Sequence, residues 1–281
     1  MRTSFDSGRL VDVGEVRVWF HEEGEGVPLF FLGGTTAGHF QFDFVRPHLP
    51  GYRLMTWEQR GLNPSDCPDP ETHPYDLDVW ARDLRDLLDR LGIERTHLWA
   101  GGFGSFTCHR FAAAYPERVG AIVTYNDVWS GDPLMAYERI WNVYEAIVVN
   151  FGTTGIGARM IAGVFGLSDP PWFMDWEAQN VEDVSRRETI AATTGYGCLH
   201  ADNRDDLPRI ESPTLVLRGD RSWDGSRLAE AADGSLQLML AQVPDVRVAT
   251  VADAHPAYVM VQKPEECAAI VDAFLREHAL G

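Results

Sequence analysis

Short apolar runs that end at glycine alternate with amphipathic helical stretches through the first third of the chain. Val16 to Phe20 predicts a strand. Pro28 to Leu32 is a second, stopping at Gly33-Gly34 as a buried strand stops at a turn. Tyr52 to Trp57 is a third, followed by the turn residues Gly61, Asn63 and Pro64. From Asp76 to Leu91 the period changes. Leu77, Trp80, Ala81, Leu84, Leu87 and Leu88 fall on one helical face with charged residues between them, and Gly92 stands where a C-cap is expected. Thr96 to Ala100 predicts the next buried strand, which runs into Gly101-Gly102-Phe103-Gly104. A helix from Ser105 to Ala114 follows, and Pro116 cannot continue it. Gly120 to Tyr125 predicts a further strand. This alternation predicts an α/β fold, a mainly parallel sheet with helices on both faces.

Beyond about Val128 the strand signal stops. To about Asp206 helical periodicity dominates and aromatic residues are frequent, with Trp129, Tyr137, Trp141, Tyr144, Phe151, Phe165, Trp172, Phe173 and Trp176 all in this stretch. Strands return at Pro213 to Leu217 and Val246 to Val251, and a helix over Glu265 to His278 closes the chain. The expected organisation is one core from residues 1–127 and 207–281, with residues 128–206 inserted as a helical lid. Most of the lid aromatics are expected in its core, and some around a largely apolar ligand pocket. The predicted ligand is therefore a small apolar or aromatic molecule.

Composition narrows the partners. The 281 residues carry a formal net charge of -18, so nucleic acid and anionic membrane surfaces are repelled. No run of about 18 apolar residues suggests a membrane span, and no apolar run follows Met1 to mark a signal peptide. Cys67, Cys108, Cys198 and Cys267 lack CxxC spacing, which argues against zinc and points to reduced thiols in a cytoplasmic setting. Neither HExxH nor another metal-ligand spacing occurs, and Thr107 stands where a dinucleotide loop needs glycine. No cofactor is expected. A homo-oligomer is compatible with all of this.

Ligands in open α/β sheets bind beyond the carboxyl ends of the strands, so the loops there hold the candidate chemistry. Leu32-Gly33-Gly34, Glu58-Gln59-Arg60-Gly61-Leu62-Asn63-Pro64-Ser65-Asp66, Tyr115-Pro116-Glu117-Arg118-Val119 and Pro213 to Gly219 occur in an order and spacing that resembles the α/β-hydrolase superfamily. The resemblance covers most of the chain. It implies an HGG-type oxyanion loop with Leu32 in place of His, and a DxRGxGxSD segment with Glu58 for Asp and Asn63 for Gly. It also implies a nucleophile elbow of the form G-x-S-x-G. The aligned residues are Ala100-Gly101-Gly102-Phe103-Gly104, so Gly102 occupies the nucleophile position and Ser105 lies on the helix behind it. Glycine accepts the strained elbow backbone without a Cβ clash. The backbone N–H groups of Gly34 and Phe103 would still frame an oxyanion pocket. By the same resemblance His255 stands at the place of the catalytic histidine. Ser222 is at the acid position, with Asp220 and Asp224 flanking it as the candidate acids.

Two functions are compatible with these parts. One is an enzyme without an acyl-serine intermediate, with His255 as general base, Asp220 or Asp224 orienting it, and the backbone pocket stabilising an oxyanion on a small, largely apolar carbonyl-type substrate. Members of the superfamily with lyase, isomerase and cofactor-free oxygenase chemistry fit that description, as does direct hydrolysis by a held water. The other is a non-catalytic binding or scaffold protein. The chain is also similar to the N-myc downstream-regulated family in the Gly-rich elbow, in Asn203-Arg204-Asp205-Asp206-Leu207 and in Gly219-Asp220 followed by Ser222. His255 departs from that family's pattern and tilts the expectation toward an enzyme.

Overall fold

The computed structural model describes residues 7–35, 38–125, 138–165, 172–185, 187–221 and 227–280. Eight strands form one sheet: β1 (Arg9–Asp12), β2 (Arg17–Glu23), β3 (Val27–Leu32), β4 (Tyr52–Glu58), β5 (Thr96–Gly101), β6 (Val119–Tyr125), β7 (Thr214–Gly219) and β8 (Val246–Val251). Their spatial order is β1-β2-β4-β3-β5-β6-β7-β8. The pairs β1–β2 and β2–β4 are antiparallel, and every pairing from β4 across to β8 is parallel. The central strands β5 and β6 are buried along their whole length. That burial explains why they read as unbroken apolar runs, without the alternation of a half-exposed strand.

Helices α1 (Leu77–Arg90) and α2 (Gly104–Ala114) cover one face. Asp76 caps α1 by accepting the Val79 N–H at 2.9 Å. The apolar stripe of α1 (Ala81, Leu84, Leu87 and Leu88) joins Phe111 and Ala112 of α2 and Phe30, Leu32, Leu98 and Ala100 of the sheet in one cluster. The opposite face packs on Phe42, Val45 and the closing helix. Between β6 and β7 the chain forms α3 (Glu138–Phe151), α4 (Ile156–Phe165), α5 (Phe173–Val184) and α6 (Glu188–Leu199). No described residue of this insertion is a strand. After β7 come α7 (Arg227–Gln242), α8 (Val259–Gln262) and α9 (Pro264–Glu277), the last two following β8.

The insertion docks over the carboxyl ends of the strands. Asn63, in the loop after β4, donates its backbone N–H to the Val184 carbonyl at 2.8 Å and its side-chain amide to the Asp183 carbonyl at 2.8 Å. Ser185 Oγ donates to the Thr35 carbonyl after β3 at 3.4 Å. Among the aromatics of the insertion, Tyr144 and Phe173 are core, whereas Phe151 and Trp172 are exposed. Trp129 and Tyr137 lie outside the described residues. Two elements escape the sequence pattern. Strand β1 is four residues with charged ends and largely exposed, so it has no apolar run. Helix α7 carries Gly234 and several alanines, which blur its apolar stripe.

Candidate active site

The strand order reverses between β3 and β5. The chain moves outward from β3 to β4, then crosses back to β5 on the other side. Open α/β sheets bind ligands in the crevice at such a switch point. Here that crevice is bounded by Gly33-Gly34 after β3 and Gly101-Gly102 after β5.

Each glycine of the turn after β5 answers a different demand. Gly102 has φ +52°, a left-handed conformation that costs an L-residue with a Cβ about 1–2 kcal/mol. Among the described residues, an ideal Cβ on it would meet no atom within 4 Å, so a side chain there would point into space that none of them fills. On Gly101 the Cβ would run into the Tyr125 ring. On Gly104 it would lie 2.1 Å from the Leu32 carbonyl oxygen, so the start of α2 sits directly on the end of β3. Ser105, Thr107 and Cys108 are on α2, all buried. A Cβ on Gly34 would stand 3.6 Å from the Phe103 backbone nitrogen, so the two candidate oxyanion positions adjoin.

The Gly34 loop is closed and strapped from below. The Gly38 N–H donates to the Gly34 carbonyl at 3.0 Å. The next residue, His39, gives its backbone N–H to Glu58 Oε1 at 3.1 Å, and its Nδ1 shares a proton with the same oxygen at 2.5 Å. Both side chains are fully buried. Burial pushes the Glu58 carboxyl up to about 8; the His39 backbone donor opposes that shift and nearby Asp43 adds to it. The rest of the Glu58–Asp66 segment is equally occupied. Arg60 makes a two-point ion pair with buried Asp83 of α1 at 2.6 and 2.7 Å. Ser65 Oγ donates to the Glu58 carbonyl at 2.5 Å and accepts the Trp19 N–H at 2.8 Å. Asp66 accepts from Arg17.

His255 lies in the loop after β8 and is 7% exposed. Its backbone N–H donates to Gln262 Oε1 at 2.7 Å, and its Nδ1 accepts the Ala257 N–H at 3.2 Å. In the neutral ring this leaves the proton on Nε2. The loop itself is zipped to the end of β7. The Asp220 N–H donates to the Val251 carbonyl, the Arg221 N–H to the Ala254 carbonyl, and Gly219 lies directly against Ala254 and His255. Asp253 has φ +55°, the one positive value on a described non-glycine residue. Its N–H donates to Asp220 Oδ1 at 2.7 Å, and its carboxylate pairs with Arg221. Asp220 is thus exposed and engaged in holding the backbone of the His255 loop. Asp224 and Ser222 lie outside the described residues.

The sequence reading missed one group. Glu177 of α5 is 1% exposed, and its Oε2 has no hydrogen-bond partner among the described residues. Burial alone pushes its carboxyl up to about 7. It interacts electrostatically with Tyr125 and Tyr258. Tyr125 ends β6 against the Gly101 turn and donates its hydroxyl to Gln41 Oε1 at 2.7 Å. The Tyr258 ring is 5.6 Å from the His255 ring and 4.4 Å from the ring of Phe173, one turn before Glu177. Helical spacing shows how Glu177 could have been found. Phe173, Glu177, Val181 and Val184 fall on one buried face, so the glutamate interrupts an apolar stripe.

Among the described residues no group of three His, Cys, Asp or Glu side chains is placed to hold a metal, and no helix is long and apolar enough to cross a membrane.

A family model described as alpha/beta hydrolase fold matches residues 27–223. The chain is 32% identical over 117 residues to a 2-hydroxy-6-oxo-6-phenylhexa-2,4-dienoate hydrolase of Comamonas testosteroni, 40% of each chain. It is 34% identical over 114 residues to a fluoroacetate dehalogenase of a Burkholderia species, covering 40% of this chain and 38% of the relative. The aligned part is less than half the length of either relative. Among solved structures, the enol-lactonase of Burkholderia xenovorans LB400 superposes with a TM-score of 0.75 at 17% identity, covering 95% of this chain and 100% of that one.

Proposed function

The chain belongs to the α/β-hydrolase fold family, and from that premise we propose that it is an enzyme that acts without an acyl-serine intermediate. The observation that carries this reading is the turn after β5. It has the left-handed backbone of an elbow and open space where a nucleophile's side chain would stand, yet the residue is Gly102. In this reading the remaining parts act on a small, largely apolar carbonyl compound beneath the helical insertion, which serves as a lid. The N–H groups of Gly34 and Phe103 receive the developing oxyanion. His255 is the general base. An acid from the loop after β7 orients it, and Asp224 is preferred to Asp220, because Asp220 already accepts the Asp253 N–H. Base action at Nε2 requires Nδ1 to exchange the Ala257 N–H for that carboxylate, so that the ring proton sits on Nδ1.

Direct attack by a water beside Gly102 is the chemistry we favour, because there is room for it and the relatives above are named as a hydrolase and a dehalogenase. The same base and oxyanion pocket also suit lyase, isomerase or cofactor-free oxygenase chemistry through proton abstraction beside a carbonyl.

The test uses p-nitrophenyl phenylacetate and a fluorophosphonate probe. The wild type should turn over the ester without a burst and without labelling, since no activated serine stands at the turn. His255→Ala should abolish turnover, and Gly102→Ser should acquire labelling. A burst or labelling of the wild type at Ser105 would overturn the reading. Inertness toward this ester, with His255→Ala and Gly102→Ser equally silent, would favour a binding or scaffold protein similar to the N-myc downstream-regulated family.

A further inference from the structure

We propose that Glu177 is the general acid of this site, the group that gives its proton to the leaving oxygen when a water attacks the bound substrate. The proposal rests on the water-mediated reading above and adds a proton donor to it. Three observations carry it. Glu177 is buried, and its Oε2 has no hydrogen-bond partner among the described residues. One turn before it on α5, the Phe173 ring stands 4.4 Å from the Tyr258 ring, which is itself 5.6 Å from the His255 ring, and Tyr125, with which Glu177 interacts electrostatically, lies against the Gly101-Gly102 turn. And Glu177 comes from the insertion, opposite the face supplied by the sheet. A buried carboxyl without a partner is costly unless it stays protonated. Burial favours that protonated form, and no described cation offsets it. Among the described residues, Tyr125 and Tyr258 are the titratable groups that interact with it, and His255 stands beyond the Tyr258 ring. Arg159 of α4 is paired with Asp175 at the surface at 2.7 Å, and Asp43, near the Phe44–Trp176 contact, is paired with Arg46 at 3.5 Å.

The step balances as follows. A water O–H bond breaks and its proton passes to His255, while the oxygen's electron pair forms the new bond to the carbonyl carbon. The carbonyl π pair moves to its oxygen, held by the Gly34 and Phe103 N–H groups. That pair then returns, the bond to the leaving oxygen breaks, and the leaving oxygen takes the proton of Glu177. The products are a carboxylic acid and an alcohol, with His255 as imidazolium and Glu177 as carboxylate. Exchange with solvent returns both to their starting states. In a serine route one histidine both takes and delivers the proton. With water as nucleophile, the leaving group departs toward the insertion, where the second proton is held.

A general acid is needed in proportion to the basicity of the leaving group, and this separates the role from mere support of the fold. Ethyl phenylacetate and p-nitrophenyl phenylacetate share an acyl group and differ in that requirement. Glu177→Gln should lower turnover of the ethyl ester by about 10²-fold, in the range of general acid catalysis, and leave the p-nitrophenyl ester little changed. Wild-type turnover of the ethyl ester should fall above about pH 7 as Glu177 loses its proton, and that fall should vanish in Glu177→Gln. His255→Ala should remove both activities. Equal losses on the two esters in Glu177→Gln, or an unchanged alkaline limb, would overturn the proposal while leaving the reading of His255 in place. A wild type inert on both esters would overturn that reading and this proposal with it.

Discussion

At the scale of the residue, two glycines of one turn are predicted to behave differently under the same substitution. Gly102→Ala adds a methyl group that meets no described residue, so its expected cost is that of the left-handed backbone, about 1–2 kcal/mol. Gly104→Ala places a Cβ 2.1 Å from the Leu32 carbonyl and must push α2 off β3. It should cost more than Gly102→Ala and lie at or beyond the upper end of the roughly 1–3 kcal/mol seen for overpacking. Urea midpoints of the two variants give the order directly, and a reversed order would mean that the turn is built otherwise. The thiols offer a second check at this scale. Cys108, Cys198 and Cys267 are buried, whereas Cys67 is partly exposed. Burial pushes the Cys267 thiol up to about 12 and also raises that of Cys67. A thiol reagent at neutral pH should therefore label Cys67 slowly in the folded protein and all four cysteines after unfolding. Rapid labelling of two or more in the folded state would contradict this burial.

At the scale of the element, the strap from β4 to the Gly34 loop is the feature with a measurable pH signature. Glu58 ordinarily titrates near 4.5 and is pushed to about 8 in the folded protein. Between those values the folded state holds a proton that the unfolded chain has released. Stability therefore declines as pH rises across this window and levels off above it. Glu177, raised to about 7, acts in the same direction. Melting temperatures from pH 5 to 8.5 should fall in the wild type and fall less steeply in Glu58→Gln, whose amide oxygen still accepts the His39 N–H. An equal slope in both proteins would show that Glu58 does not hold a proton. The elements themselves were mostly legible in the sequence, because β3, β5 and β6 are buried and α1 has a clean apolar face. The placement of Gly102 in a left-handed turn was legible too, from the string of glycines after an apolar run. The strap was not. Glu58 and His39 are 19 residues apart, and their pairing depends on how the segment after β3 folds onto the end of the adjacent strand β4. Nor was the occupation of Asp220, since its partner Asp253 comes from another strand's loop. Glu177 was legible in principle, as the one acid on a buried helical stripe, but its burial depends on α5 docking by Phe173 against Tyr258.

At the scale of the whole molecule, the parts proposed for the site are far apart in the chain and lie at one end of the sheet. Gly34 and Phe103 flank the switch point, His255 arrives from beyond β8, and Glu177 comes down from the helices between β6 and β7. That last origin sets it apart. The insertion leaves the sheet after Tyr125 and rejoins it at Thr214, and the strands on either side pair with each other in register, Tyr125 opposite Leu217. The sheet is complete without the excursion, so the stretch between these strands can be exchanged as a module. A recombination event confined to it would carry Glu177 and the ring of Phe173 into or out of the protein together, leaving the glycine turn and the histidine loop as they were. The proton donor and the proton acceptor proposed for the site would then have separate ancestries, and descent along one half of the gene need not track descent along the other.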